Sequence, residues 1–253
     1  MEKHYMTYYS NILNRDMEMN VYGHGGRPVL YIPCQDGRFY DFENFKMADV
    51  CREWIDSGKM IVFSIDTIDA ETWTDTAGDP RWRIEIYDHW IHFITDELVP
   101  FIKDYVSGKS QEEYRGGLIS FGCSLGAAHA ANLYFRRPDL FDGLLALSGV
   151  YSASYGFGDY MDELVYMNSP VDYMYNLPPD HPYIEMFNSH RAVICTGQGP
   201  WEYPEYTRAL DRILKSKNIH TWVDYWGFDV HHDWDWWYKE VVYFFPYLLG
   251  EDV

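Results

Sequence analysis

Basic residues are scarce in this chain. Lys and Arg total 20 against 39 Asp and Glu, a formal net charge of −19 at pH 7. Such a chain repels phosphate backbones and anionic bilayers, which argues against nucleic-acid binding and membrane adsorption. Cysteine is also sparse. Cys34, Cys51, Cys123 and Cys195 include no C-x-x-C pair and suit neither a zinc site nor a disulfide framework, so they read as reduced thiols of a reducing compartment. No stretch reaches ~18 consecutive apolar residues, so no membrane span is expected. Met1–Tyr5 shows no basic start leading into an apolar run, so no signal peptide is expected, and the expected location is the cytoplasm. Internal repeats and low-complexity linkers are missing too, and residues 1–253 are read as a single domain.

Hydrophobic residues, by contrast, make up 47% of the chain, enough for a sizeable core, and 19% of the chain is aromatic, with 23 Tyr and 10 Trp. Residues 4–12 and 17–23 alternate as a leading pair of strands, with a turn at Gly23-His24-Gly25-Gly26. Short apolar runs of the buried-strand type follow at 29–32, 60–65, 117–121, 144–147, 192–196 and 221–226. Between them, helices are expected over 43–57, over 83–105 with an interruption near Pro100, over 125–137, from Pro204, and over 234–248. Residues 150–190 show no clear period and are expected to form an irregular, cap-like excursion. Strands alternating with helices imply an α/β fold whose central sheet is mainly parallel and flanked by helices.

The strongest local signal is Gly122-Cys123-Ser124-Leu125-Gly126, set between the strand at 117–121 and the helix opened by Ala127-Ala128-His129-Ala130-Ala131. Strand, sharp turn and helix form a nucleophile elbow, which raises a serine hydroxyl above the sheet at a helix N-terminus, where developing negative charge is favoured. Such a serine needs a base and an acid, supplied later in the chain in the order Ser, acid, His. His231 and His232 follow the last strand, at the edge where open α/β sheets bind ligands, and the pattern alone does not choose between them. Metal binding by His231, His232 and Asp233 would need distant partners, so no metal or cofactor is expected. For the acid, Glu202 lies in the loop after the strand at 192–196; Glu205 falls within the following helix, and Asp229 shares the histidine loop. One oxyanion donor is expected from the amide of Leu125. The second is expected from the loop after the strand at 29–32, where Gln35 is the choice and Asp36 its neighbour. Phe39, Tyr40, Tyr151, Trp201 and Trp234 are candidates for an aromatic substrate pocket, or equally for packing.

These positions give the chain a resemblance to the putative esterase family of α/β-hydrolases, which includes esterase D-like enzymes (S-formylglutathione hydrolases), feruloyl esterase-type domains and mycolyltransferases. The similarity runs from about Pro28 to Leu249. It rests on Gly122–Ala127, Arg137-Pro138-Asp139-Leu140-Phe141, Leu147-Ser148-Gly149 and His232-Asp233-Trp234. A GQGxWE segment at 197–202 and an HDWxWW segment at 232–237 place it near a bacterial subgroup. The resemblance implies the α/β-hydrolase fold, hydrolysis of a small or sugar-linked carboxylic ester through an acyl-enzyme, His232 as the base and the Glu202 loop as the source of the acid. Gln35-Asp36-Gly37 stands where the wider family has a His-Gly-rich loop. A small-molecule ester is the implied partner, and pairing as a homodimer is open to a chain of this size. A non-catalytic binding protein on the same scaffold and an acyltransferase are the alternatives.

Overall fold

The computed structural model describes residues 1–251; Asp252 and Val253 lie outside it. The leading strands β1 (Lys3–Ser10) and β2 (Arg15–Tyr22) form an antiparallel hairpin. Six more strands follow: β3 (Arg27–Ile32), β4 (Met60–Ile65), β5 (Leu118–Cys123), β6 (Phe141–Leu147), β7 (Arg191–Thr196) and β8 (Trp222–Tyr225). All eight belong to one sheet in the order β1-β2-β4-β3-β5-β6-β7-β8. β2 pairs antiparallel with β4, and β3 to β8 run parallel. Strands covered on both faces can be apolar throughout, and every residue of β4 and β5 is buried. Side chains still alternate between the faces: Leu30 and Ile32 of β3 enter one core, Val29 and Tyr31 the other.

One face is covered by α1 (Asp41–Asn44), α2 (Met47–Val50), α3 (Arg52–Asp56) and α12 (Trp234–Leu249). The other is covered by α4 (Pro80–His92), α5 (Val99–Ser110), α6 (Leu125–Arg136) and α11 (Pro204–Ser216). The single helix expected over 43–57 is instead three short ones; a left-handed residue, Lys46 (φ 59°), separates the first two, and a break at Cys51 the second from the third. The helix expected over 83–105 begins earlier, at Pro80, where the Asp79 side chain accepts the Trp82 N–H (2.9 Å) as an N-cap. Its interruption is a π-helical turn, Phe93–Leu98, that ends just before Pro100. Proline has no N–H to donate and its ring crowds the carbonyl four residues back, so a widened turn lets the helical path continue. The 150–190 excursion carries four short helices, α7 (Ser154–Phe157), α8 (Glu163–Met167), α9 (Pro170–Tyr175) and α10 (Tyr183–Ser189). None completes two turns, too short for a helical period to show in the sequence. No helix among the described residues is long and apolar enough to cross a membrane.

Because β3 to β8 are parallel, the loops that leave their carboxyl ends gather at one edge of the sheet. These loops hold Gln35, Ser124, Ser148, Glu202 and His232.

Candidate active site

Ser124 stands between β5 and α6 with φ 56° and ψ −128°, a conformation that non-glycine residues rarely adopt and that costs about 1–3 kcal/mol. Its N–H donates to the Leu147 carbonyl (2.8 Å). Two glycines permit the turn by letting backbones touch. A Cβ on Gly122 would lie 2.3 Å from the Gly126 carbonyl, and one on Gly126 would lie 2.3 Å from the Pro33 oxygen. The hydroxyl therefore stands at the N-terminus of α6. The Leu125 N–H, in the first helical turn, has no acceptor among the described residues.

His232 Nε2 lies 2.9 Å from Ser124 Oγ. Its loop is seated on the loop after β7: His232 N–H donates to Pro200 O (3.2 Å) and Gly199 N–H to Val230 O (2.8 Å). Side chains at Gly197 or Gly199 would prevent this, since a Cβ at either would come within 2.5 Å of Val230 O. Glu202 brings its side chain under the imidazole, with Oε2 3.6 Å from His232 Nδ1. Nδ1 is buried and has no hydrogen bond, so the pair sits slightly longer than bonding distance, as is common before a substrate binds. The Glu202 carboxylate, 1% exposed, accepts Ser148 Oγ–H (2.6 Å) on Oε1 and Thr196 Oγ1–H (3.1 Å) on Oε2. Ser148 Oγ in turn accepts the indole N–H of Trp237 (3.1 Å), whose ring meets His232 edge-on at 5.0 Å.

His231 points elsewhere. Its Nε2 pairs with Asp235 (3.0 Å) and its Nδ1 accepts the Trp236 indole N–H (3.0 Å). Glu205 is exposed and paired with Arg208. Ligating atoms of His231, Asp233 and Asp235 lie within 4.8 Å of one another, but both ring nitrogens of His231 are already engaged. The four cysteines are free, and burial pushes each thiol well above its ordinary range, so none is a competing thiolate nucleophile.

The loop after β3 distinguishes Gln35 from Asp36. The Asp36 N–H is occupied by Asp69 Oδ2 (3.1 Å), whereas the Gln35 N–H has no acceptor among the described residues. The Gln35 side-chain oxygen accepts the Tyr155 hydroxyl (3.1 Å), linking this loop to α7. A cavity of about 40 Å³ opens between Ser124, Leu125, Ser148, Val150, Tyr155, Tyr203 and His232. None of the five aromatics expected around the site lines it. Tyr151 is fully buried, its ring against Gly149, and Phe39 is buried between Tyr5 and Tyr40. Trp234 stacks on Phe45 at 4.5 Å, Tyr40 sits edge-on against Phe39, and Trp201 projects into solvent at 74% exposure. Aromatic residue type did not reveal side-chain direction, and the residues that do line the cavity, Tyr155 and Tyr203, carried no distinguishing pattern in the sequence.

A nucleophile elbow on a mainly parallel eight-stranded sheet, with a histidine delivered from the loop after the last strand, defines an α/β-hydrolase. The family model described as Putative esterase matches residues 10–242, and the chain belongs to that family of carboxylic ester hydrolases. No curated protein sequence matches. Among solved structures, the chain is similar to a ferulic acid esterase (18% identity, 98% of each chain, TM-score 0.73). It is also similar to an S-formylglutathione hydrolase from Agrobacterium tumefaciens (14% identity, 98% of this chain and 95% of that one, TM-score 0.71). A third is the CE1 ferulic acid esterase AmCE1/Fae1A from Anaeromyces mucronatus (16% identity, 98% of this chain and 91% of that one, TM-score 0.71). At these identities the likeness establishes the fold.

Proposed function

We propose that the chain hydrolyses short-acyl esters through Ser124, His232 and Glu202, acting as one domain. The observation that carries this reading is the 2.9 Å contact between His232 Nε2 and the hydroxyl of a strained elbow serine. His232 takes the Ser124 proton as Oγ attacks the ester carbonyl, and Glu202 steadies the resulting imidazolium. The free N–H groups of Leu125 and Gln35 receive the oxyanion. His232 returns the proton to the departing alcohol, and water then releases the acid by the same route.

The cavity beside Ser124, about 40 Å³, is small, a few times the ~10–15 Å³ that one water needs by the same measure, which favours a short acyl group. The alcohol portion then faces the mouth of the site, where the half-exposed rings of Tyr155 and Tyr203 offer stacking surface for a sugar or another flat group. Hydrolysis of aryl formate, acetate, butyrate and hexanoate by wild type and Ser124→Ala tests both parts. The expectation is a decline beyond acetate and a loss of about 10³-fold or more in kcat for Ser124→Ala. Full activity in Ser124→Ala refutes the mechanism, and a preference for hexanoate refutes the acyl-size reading.

A further inference from the structure

The two oxyanion donors of the proposed mechanism sit on separate elements, Leu125 at the start of α6 and Gln35 on the loop after β3. Their separation therefore depends on what ties these elements together. One tie is the backbone contact at Gly126. The other is a buried side-chain bridge that the reaction chemistry does not use. Asp69, in the 3₁₀ turn Asp69–Glu71, is 2% exposed. Its Oδ2 accepts the Asp36 N–H (3.1 Å) and its Oδ1 meets His129 Nε2 (2.9 Å). His129, fully buried, belongs to α6, five residues beyond Ser124.

The hydrogen bonds around His129 run in one consistent direction. Nε2–H donates to Asp69, so Nδ1 accepts the Tyr87 hydroxyl proton (2.8 Å), and the Tyr87 oxygen faces Asn132 Nδ2 at 3.5 Å. The rings of Trp73, Tyr87 and Trp90 enclose the imidazole at 5.3–5.6 Å, which leaves it little freedom to rotate. A carboxylate and an imidazole are costly to bury and stay there only with their polar atoms engaged. Here one of those partners is a backbone amide of the oxyanion loop, in a left-handed residue (Asp36, φ 55°) next to the donor itself. With the Asp36 N–H pinned, the Gln35–Asp36 peptide is fixed, while the neighbouring Gln35 N–H has no acceptor among the described residues.

We propose that Asp69 and His129 are positioning residues that hold the Gln35 amide at working distance from the Leu125 amide. The proposal rests on the serine-esterase reading above. Oxyanion donors act only when placed to within fractions of an ångström, and a misplacement of about 1 Å costs on the order of 10² in rate.

The test measures kcat and KM on an aryl acetate, and the affinity of an aryl trifluoromethyl ketone, whose adduct with a serine carries an oxyanion. Wild type, Ser124→Ala, Asp69→Asn and Asp69→Ala are compared, with circular dichroism and thermal melting to show that each is folded. Asp69→Ala is expected to lose about 10- to 100-fold in kcat with KM within about twofold. Asp69→Asn keeps an oxygen for the Asp36 N–H and is expected to lose about 3- to 10-fold. In both, ketone affinity falls by the same factor as kcat/KM, which a role in stability alone would not produce. If Asp69→Ala does not fold, Asp69→Asn decides alone. Unchanged kcat and ketone affinity, or a kcat loss with ketone affinity intact, overturns the proposal. An active Ser124→Ala would instead overturn the serine mechanism, so the two failures are distinguishable.

Discussion

Glu240 offers a sharp test of how burial governs charge behind the site. It lies on α12, three residues after Trp237, with no solvent exposure. Its Oε1 takes a contact from Cys195 Sγ–H (3.6 Å), and its Oε2 is buried without a hydrogen bond. Burial, reinforced by repulsion from Glu202, lifts its carboxyl from the usual 4.5 to about 8. The folded protein therefore keeps a proton that the unfolded chain releases. The stability tied to that proton is fully present below about pH 4.5 and is lost as pH rises to about 8. At ~1.4 kcal/mol per pH unit, the window is worth about 5 kcal/mol at most. Glu240→Gln has no proton to release. Its buried amide costs about 1–3 kcal/mol, but that cost does not vary with pH. Urea unfolding of both proteins at pH 5.5, 6.5, 7.5 and 8 measures the difference. The variant is expected to gain about 3 kcal/mol on wild type across this range, with unchanged m-values. A stability difference constant to within about 0.5 kcal/mol refutes the assignment of a buried neutral carboxyl, because such a group must impose the slope.

Two further substitutions test the frame of the site. Gly126→Ala puts a Cβ 2.3 Å from Pro33 O, so the end of β3 and the loop that follows it must shift. The expected cost is about 1–3 kcal/mol in thermal or urea unfolding and at least about tenfold in kcat on an aryl acetate. Ser148→Ala removes the hydroxyl that serves both Glu202 and Trp237. It is expected to cost about 1–3 kcal/mol of stability and to lower kcat about tenfold with little change in KM, which steady-state kinetics and melting curves check.

Legibility followed the range of the interaction. Continuous apolar runs set β3 to β7 to within three residues at each end, because a strand covered on both faces has no choice of composition. The elbow was legible for a similar reason: glycines at 122 and 126 are steric requirements of the turn, not ornaments of a motif. The short helices of 41–56 and 150–190 were not, since a left-handed residue such as Lys46 and helices of four to seven residues leave no period to read. The pocket was the least legible part. Tyr151 and Tyr155 are four residues apart and chemically identical, yet one is fully buried and the other is 46% exposed beside Ser124.

By itself, the sequence determined the class of fold, the strand–turn–helix around Ser124, and the order in which Ser124, Glu202 and His232 occur. Each depends on local steric rules or on the periodicity of burial, which neighbouring residues express. Only the tertiary structure decided which histidine faces the serine: His232 turns inward while His231 is held outward by Asp235 and Trp236. Only it decided that the Asp36 amide is spent on Asp69, leaving the Gln35 amide free, that Asp69 meets His129, and that Ser148 bonds both Glu202 and Trp237. Those assignments are hydrogen bonds between residues up to 108 positions apart, and direction and distance in space have no counterpart in spacing along a chain.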